Sequence, residues 1–249
     1  MKTVLITGAT SGIGLATAHL LAENNFKLIL CGRNTEKLAD LQSELGKLTE
    51  VTTLEFDVRD KKVIQEKIGS LSKAFQQIDV LINNAGNAHG LDPIDTGSID
   101  DWDAMIDINV KGLLYVSHAV IPQMRERKSG HIINIGSTAG KEVYPKGNVY
   151  CGSKHAVDAI TIGMRLDLNP YSIRVGAVNP GLVHTNFSEV RFKGDSDRAE
   201  KVYQGFEPLV PEDIADVIHF AITRPPHVNI ADLTVMCTAQ ASSTILKKN

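Results

Sequence analysis

Cysteine is scarce in this chain. Cys31, Cys151 and Cys237 lie far apart and are odd in number, so they form neither a disulfide framework nor a metal-ligand spacing, and no metal is expected. Long apolar runs are missing as well: no stretch approaches the ~20 apolar residues of a membrane span. The opening segment places only Val4, Leu5 and Ile6 in a row before Gly8, too short for a signal-peptide core. Nor is there an excess of one charge. The formal net charge is −3, which gives no bulk reason to expect nucleic acid or an anionic membrane as partner. Internal repeats, low-complexity tracts and linkers are also lacking. The expectation is a reduced cytoplasmic protein whose partners are small molecules.

What is present is an ordinary globular composition, 43% hydrophobic and 22% charged over 249 residues. That length favours a single α/β domain spanning 1–249. Near-continuous Val, Ile and Leu segments at Thr3–Thr7, Lys27–Cys31, Val51–Phe56, Val80–Ile82, His131–Ile135, Ile173–Val178 and Leu233–Met236 read as strands buried on both faces. Helical stretches at Gly12–Asn24, Thr35–Lys47, Lys61–Gln76, Asp101–Arg127, Val149–Leu168 and Pro211–Thr223 alternate with them. Asn34 and Asp60 suit N-caps, Ser98 to Asp101 resembles a capping box, and Pro211 fits a first helical turn. Strand–helix alternation implies right-handed crossovers and a doubly wound parallel sheet of about seven strands. The irregular stretch 181–207 is expected to cover a site.

Tyr150 and Lys154 stand four residues apart, hence on one face of a helix. An ammonium held there favours phenolate over phenol; lowering a tyrosine by ~3 units takes about 4 kcal/mol. The first strand runs into Gly8, Thr10, Ser11, Gly12, Ile13 and Gly14. Glycines there let the backbone approach a pyrophosphate at a helix N-terminus. At the end of the second strand Gly32 stands where an NAD site carries a carboxylate, and Arg33 and Asn34 follow. A guanidinium suits a 2′-phosphate, so NADP is expected rather than NAD. Asp57 and Val58 end the third strand; Asp57 either borders the adenine or caps a turn.

With these residues in order, the chain resembles the short-chain dehydrogenase/reductase family over nearly its whole length. The resemblance rests on Thr7-Gly8-x-x-x-Gly12-x-Gly14, Asn83-Asn84-Ala85-Gly86, Asn109, Ser137, Tyr150-x-x-x-Lys154 and Pro180-Gly181. Gly136–Gly140, Gly147–Tyr150, Val190–Asp195 and Pro226–Ile230 are similar to the branch of NADP-dependent 3-hydroxy acid dehydrogenases, which act on serine, allo-threonine and 3-hydroxypropionate, some reducing malonic semialdehyde. Val235–Gln240 matches that branch only loosely.

The resemblance implies a Rossmann-type fold and a division of labour. Tyr150 is the general acid/base, and Lys154 lowers its pKa and holds the nicotinamide ribose. Ser137 orients the substrate oxygen. Asn109 holds a water that connects Lys154 to solvent. Asn84, Ala85 and Gly86 pass the adenosine ribose, while Pro180, Gly181, Val183 and Thr185 run along the carboxamide and diphosphate. Arg191, in the covering segment, is either a contact for a substrate carboxylate or a solvated residue. His184, a loop histidine without a placed partner, receives no role. The resemblance further implies a homotetramer with the two long helices packed across subunits. Two other readings share the motifs: a reductase of carrier-bound 3-oxoacyl groups or other carbonyls, and a non-catalytic dinucleotide sensor.

Overall fold

The computed structural model describes residues 1–249. Seven strands, β1 (Thr3–Thr7), β2 (Lys27–Gly32), β3 (Val51–Glu55), β4 (Val80–Asn83), β5 (Gly130–Ile135), β6 (Ile173–Pro180) and β7 (Asp232–Val235), form one sheet in the order β3-β2-β1-β4-β5-β6-β7. Every neighbouring pair is parallel. The chain builds outward from β1 to β3 and then crosses back to lay β4 beside β1. Such a reversal opens a crevice at the carboxyl ends of the strands, where ligands bind in sheets of this kind.

Alternation along β1 explains its unbroken apolar sequence. Val4 and Ile6 enter the core shared with α1 (Gly12–Glu23), α2 (Thr35–Leu45) and α9 (Pro211–Thr223), while Leu5 enters the core on the opposite face. That second core is covered by α3 (Lys61–Gly69) and α5 (Leu113–Arg127), with Leu168 at the end of α6 (Asn148–Leu168). The expected caps hold: Asn34 Oδ1 accepts from Lys37 N at 2.9 Å, and Asp60 Oδ1 accepts from the amides of Lys62 and Val63. Pro211 opens α9, whose Asp213 carboxylate accepts from Val210 N at 2.8 Å.

Several expectations are corrected. The third helix ends at Gly69, not Gln76: the Ser70 hydroxyl donates to the Lys67 carbonyl, and the turns that follow drive Leu71 and Phe75 into the core. The fourth crossover is not one helix from Asp101. It consists of α4 (Ile99–Ile106), a π-helical segment Asp107–Gly112, and α5. The Ser98 box forms only in part: Ser98 Oγ accepts from Asp101 N at 3.4 Å, but the Asp101 carboxylate turns to Lys193 at 3.0 Å. By length and composition the Ile99–Arg127 run is apolar enough to cross a membrane, with a mean hydropathy of 1.3 in its most apolar window, although no unbroken apolar run there approaches ~20 residues. Here Val116, Val120 and Met124 face the core. Segment 181–207 is not irregular throughout; it carries α7 (Phe187–Arg191) and α8 (Ser196–Lys201).

Candidate active site

A cleft of about 540 Å³ opens along the carboxyl ends of β1, β4, β5 and β6. Its cofactor-side wall is the loop after β1. Gly8 has φ +66°, a backbone state that side-chain-bearing residues rarely adopt. A Cβ on Gly14 would overlap the Gly8 carbonyl, so α1 starts hard against the loop. Ser11 precedes α1 without spending its side chain on a cap. With Thr10 it lines the cleft at a helix N-terminus, an arrangement that fits a pyrophosphate.

The Asn84 side chain ties the next loop to this one, donating to the carbonyls of Thr7 at 2.9 Å and Gly8 at 3.2 Å. Thr7 Oγ1 accepts from the amides of Asn84 and Ala85 in return. At the adenosine end, Asp57 accepts two bonds from the Arg59 guanidinium, at 3.0 and 2.7 Å, and one from the Arg59 amide. Arg33 stands 3.6 Å from the same carboxylate and is 66% exposed. Burial pushes the Asp57 carboxyl up, but the bonds from Arg59 outweigh it and leave the group below its ordinary value. Asp57 thus lines the cleft and shapes a turn at once.

At the other end stand Ser137, Tyr150 and Lys154. Ser137 follows β5, and its Oγ accepts from Ala139 N at 3.1 Å, opening a short 3₁₀ turn, Thr138–Gly140. Tyr150 and Lys154 project from the first turns of α6 and are both buried. Lys154 Nζ donates to the Ile135 carbonyl at 3.0 Å. Burial depresses this ammonium to about 8. Tyr150 moves opposite to expectation. Burial and then Tyr144 raise it well above its ordinary value, while a hydrogen bond with Ser137 and the Arg191 charge pull the other way. Lys154 is not among the groups that acidify it. The Arg191 guanidinium stands over the phenol ring, 5.6 Å from its centroid.

Arg191 comes into the cleft from α7. Its Nε donates to Gly90 O at 3.0 Å and its Nη1 to Tyr144 Oη at 3.0 Å. The Gly90 amide donates back to the Arg191 carbonyl at 2.9 Å. Nη2 has no protein acceptor within reach, so the guanidinium is a fixed cation with one donor edge to offer rather than a solvated lid residue.

Three residues assigned from the sequence do not line the cleft: Gly14 lies under the loop, Asn34 caps α2, and Asn109 sits behind Gly86. Asn109 accepts from Asn87 N at 2.9 Å and donates to Asn87 O and Ser153 Oγ. Its side chain pins the π segment to the loop after β4 and to Ser153 on α6. A Cβ on Gly86 would lie 3.1 Å from Asn109 Oδ1 and 3.5 Å from Lys154 Nζ, so a larger residue would press on both.

The other assigned residues, Ile13, Gly12, Val58, Ala85, Pro180, Gly181, Val183 and Thr185, all line the cleft. The sequence reading missed Tyr144, whose hydroxyl holds Arg191, and Arg59. It also missed a network behind Ser137. Lys141 Nζ binds Asp158 at 2.6 Å and Asp232 at 2.5 Å, and Asp232 accepts from Asn179 at 2.9 Å. Asn179 Oδ1 in turn lies so close to Gly136 that a Cβ there would overlap it.

Comparison with known proteins agrees with this geometry. The short chain dehydrogenase pattern matches residues 2–196. An NADP-dependent 3-hydroxy acid dehydrogenase of Salmonella typhi is 46% identical over 239 residues, covering 96% of each chain. Sulfoacetaldehyde reductase 2 of Chromohalobacter salexigens is 44% identical over 96% of each. The closed form of a serine dehydrogenase complexed with NADP+ superposes with a TM-score of 0.93 at 43% identity, covering 99% of each chain. With the family pattern spanning most of the chain and relatives 46% and 44% identical over nearly all of it, the chain belongs to the short-chain dehydrogenase family.

Proposed function

We propose that this chain is an NADP-dependent oxidoreductase that moves a hydride between NADP(H) and a short 3-hydroxy acid or its 3-oxo or semialdehyde counterpart. The observation that carries the reading is the fixed guanidinium of Arg191 beside the Tyr150 ring. It sets a cation for the anionic end of a small substrate next to the group that handles the substrate's proton. NADP, when bound, supplies the hydride acceptor or donor. The loop from Gly8 to Ile13 and the α1 N-terminus would hold its pyrophosphate, and Arg33 its 2′-phosphate.

Ser137 orients the substrate oxygen. Tyr150 takes the hydroxyl proton during oxidation and returns it during reduction. Burial raises its pKa, so the phenol holds its proton tightly and is by itself a weak acid. Transfer in either direction therefore calls on groups that favour the phenolate, and the Ser137 hydrogen bond and the Arg191 charge act in that sense.

A sulfonate aldehyde is a second reading of the same site, supported by the sulfoacetaldehyde reductase relative, since a guanidinium binds either anion. The test is NADP+ reduction with serine, allo-threonine, 3-hydroxypropionate, a hydroxysulfonate and neutral alcohols of equal length, with a carrier-bound 3-hydroxyacyl group as a further arm. Higher kcat/KM for the anionic substrates supports the proposal; equal or better turnover of neutral or carrier-bound ones refutes it. We also propose that the enzyme is cytoplasmic and that it is a homotetramer, the assembly being supported by exposed Leu114, Ile162 and Leu166 on α5 and α6. Light scattering on the purified protein tests the assembly.

A further inference from the structure

We infer that Arg59 is a determinant of NADP preference, acting through Asp57. The inference rests on the cofactor reading above and adds to it a residue that the sequence motifs do not assign. The difficulty it resolves is electrostatic. Arg33, the cation expected to bind a 2′-phosphate, stands 3.6 Å from Asp57 Oδ2. A phosphate bound by Arg33 would therefore sit beside a carboxylate, and two anions so close repel each other. An unpaired Asp57 would also compete with the phosphate for Arg33, which is 66% exposed and free to turn either way.

Arg59 removes both obstacles. Its Nε and Nη2 grip Asp57 Oδ1 and Oδ2 at 3.0 and 2.7 Å, and its amide adds a third bond at 2.9 Å. A planar guanidinium meeting a carboxylate in this two-point way is the strongest common pairing of the two groups and fixes the orientation of both. The arrangement is local: Asp57 and Arg59 are two residues apart in the turn between β3 and α3. Asp57 is thereby neutralised and held, and Arg33 is released to a phosphate. Asp107, the other acid that acts on Arg59, is itself bound by Lys111 at 2.8 Å and does not draw Arg59 away. NADH carries no 2′-phosphate, so its binding does not depend on this arrangement.

The test is the affinity of purified enzyme for NADPH and for NADH, read by fluorescence titration, in the wild type, Arg59→Gln, Arg59→Lys, Asp57→Asn and the double variant Asp57→Asn/Arg59→Gln. The ratio of the two affinities is the readout, because any shared effect on the adenine cancels in it. Arg59→Gln should cut the NADPH:NADH ratio about tenfold, with Arg59→Lys in between. Removing the carboxylate as well should bring the double variant back to within about threefold of the wild type, a rescue that general damage to the turn would not give.

An unchanged ratio in Arg59→Gln overturns the inference. So does an equal loss with and without the Asp57 carboxylate, which would make Arg59 a direct phosphate contact. A wild-type ratio near one would instead sink the cofactor reading itself, and the inference with it.

Discussion

The ammonium of Lys154 donates to the carbonyl of Ile135 at 3.0 Å, across the seam where β5 gives way to the Ser137 turn. The lysine is thus anchored to the strand that delivers Ser137. Its burial brings it to about 8, so it gives up its proton far more readily than a solvated lysine.

A stability consequence follows from that depression. The unfolded chain binds the Lys154 proton up to the ordinary lysine value, the folded chain only up to about 8. Below that pH both states carry the proton and the folded state bears the full penalty of a buried charge. The penalty is relieved as pH rises from about 8 through the lysine range. Lys154→Met should therefore raise the melting temperature of the cofactor-free enzyme at pH 7 by roughly 2–4 °C, about 1 kcal/mol net of the lost Ile135 bond. Thermal melts across this range should show the gap to wild type closing above pH 8. A gap that stays constant would argue against the depression.

His131 reports on the acid side. It is buried on β5, neither ring nitrogen has a hydrogen-bonding partner in the protein, and burial, then Arg174 and Lys2, hold it down at about 3. The folded chain thus refuses a proton that the unfolded chain accepts below about 6.5, and stability falls as pH drops from there toward 3. At pH 5 this amounts to about 2 kcal/mol from one residue. Urea titrations of His131→Leu should show a shallower acid limb between pH 4 and 6.5 than the wild type.

Tyr150→Phe removes one oxygen from a buried ring that packs against Phe187 at 5.7 Å. Fold and NADPH affinity should survive, while kcat falls by about 10²–10⁴, the range for a lost general acid/base. Stopped-flow or steady-state turnover at matched cofactor saturation measures this. Loss of less than tenfold would remove Tyr150 from the proton-transfer role.

Tyr144→Phe probes the anion end. Tyr144 Oη accepts from Arg191 Nη1, so deleting it loosens the guanidinium without removing charge. KM for a hydroxy acid should rise about tenfold with kcat little changed, and KM for a neutral alcohol should stay level. Arg191→Met should give a larger effect of the same sign. Equal effects on charged and neutral substrates would show that the pair only shapes the cleft.

The sheet was legible in the sequence because parallel strands covered on both faces need unbroken apolar runs. Thr3–Thr7 matches to the residue, and the other strands lie within about two residues of their expected ends. The glycine loop, Ser137, Tyr150 and Lys154 were legible because backbone approach and acid–base chemistry demand particular residues at fixed spacings. What the sequence hid depends on contacts between distant segments. The π segment at Asn109 comes with bonds to Asn87 and Ser153, neither of which leaves a local signal. The early end of α3 reflects the burial of Leu71 and Phe75 beyond it. Arg59 and Tyr144 sit at no motif position. Their importance comes from which oxygen or nitrogen they reach, a property of side-chain direction rather than of spacing. The raised Tyr150 was misjudged for a related reason: a four-residue interval brings two side chains to one face but does not say that the ammonium points at the phenol.

The tie from Lys141 through Asp232 to Asn179 bears on how this enzyme can be re-engineered. Asp232 belongs to the last strand, beyond the part of the chain that the family pattern recognises. Yet through Asn179 it backs the glycine that immediately precedes Ser137. Chimeras that import a relative's carboxyl-terminal third to alter specificity will therefore also reset the serine's footing, unless the donor brings a matching acid and Lys141 stays to meet it.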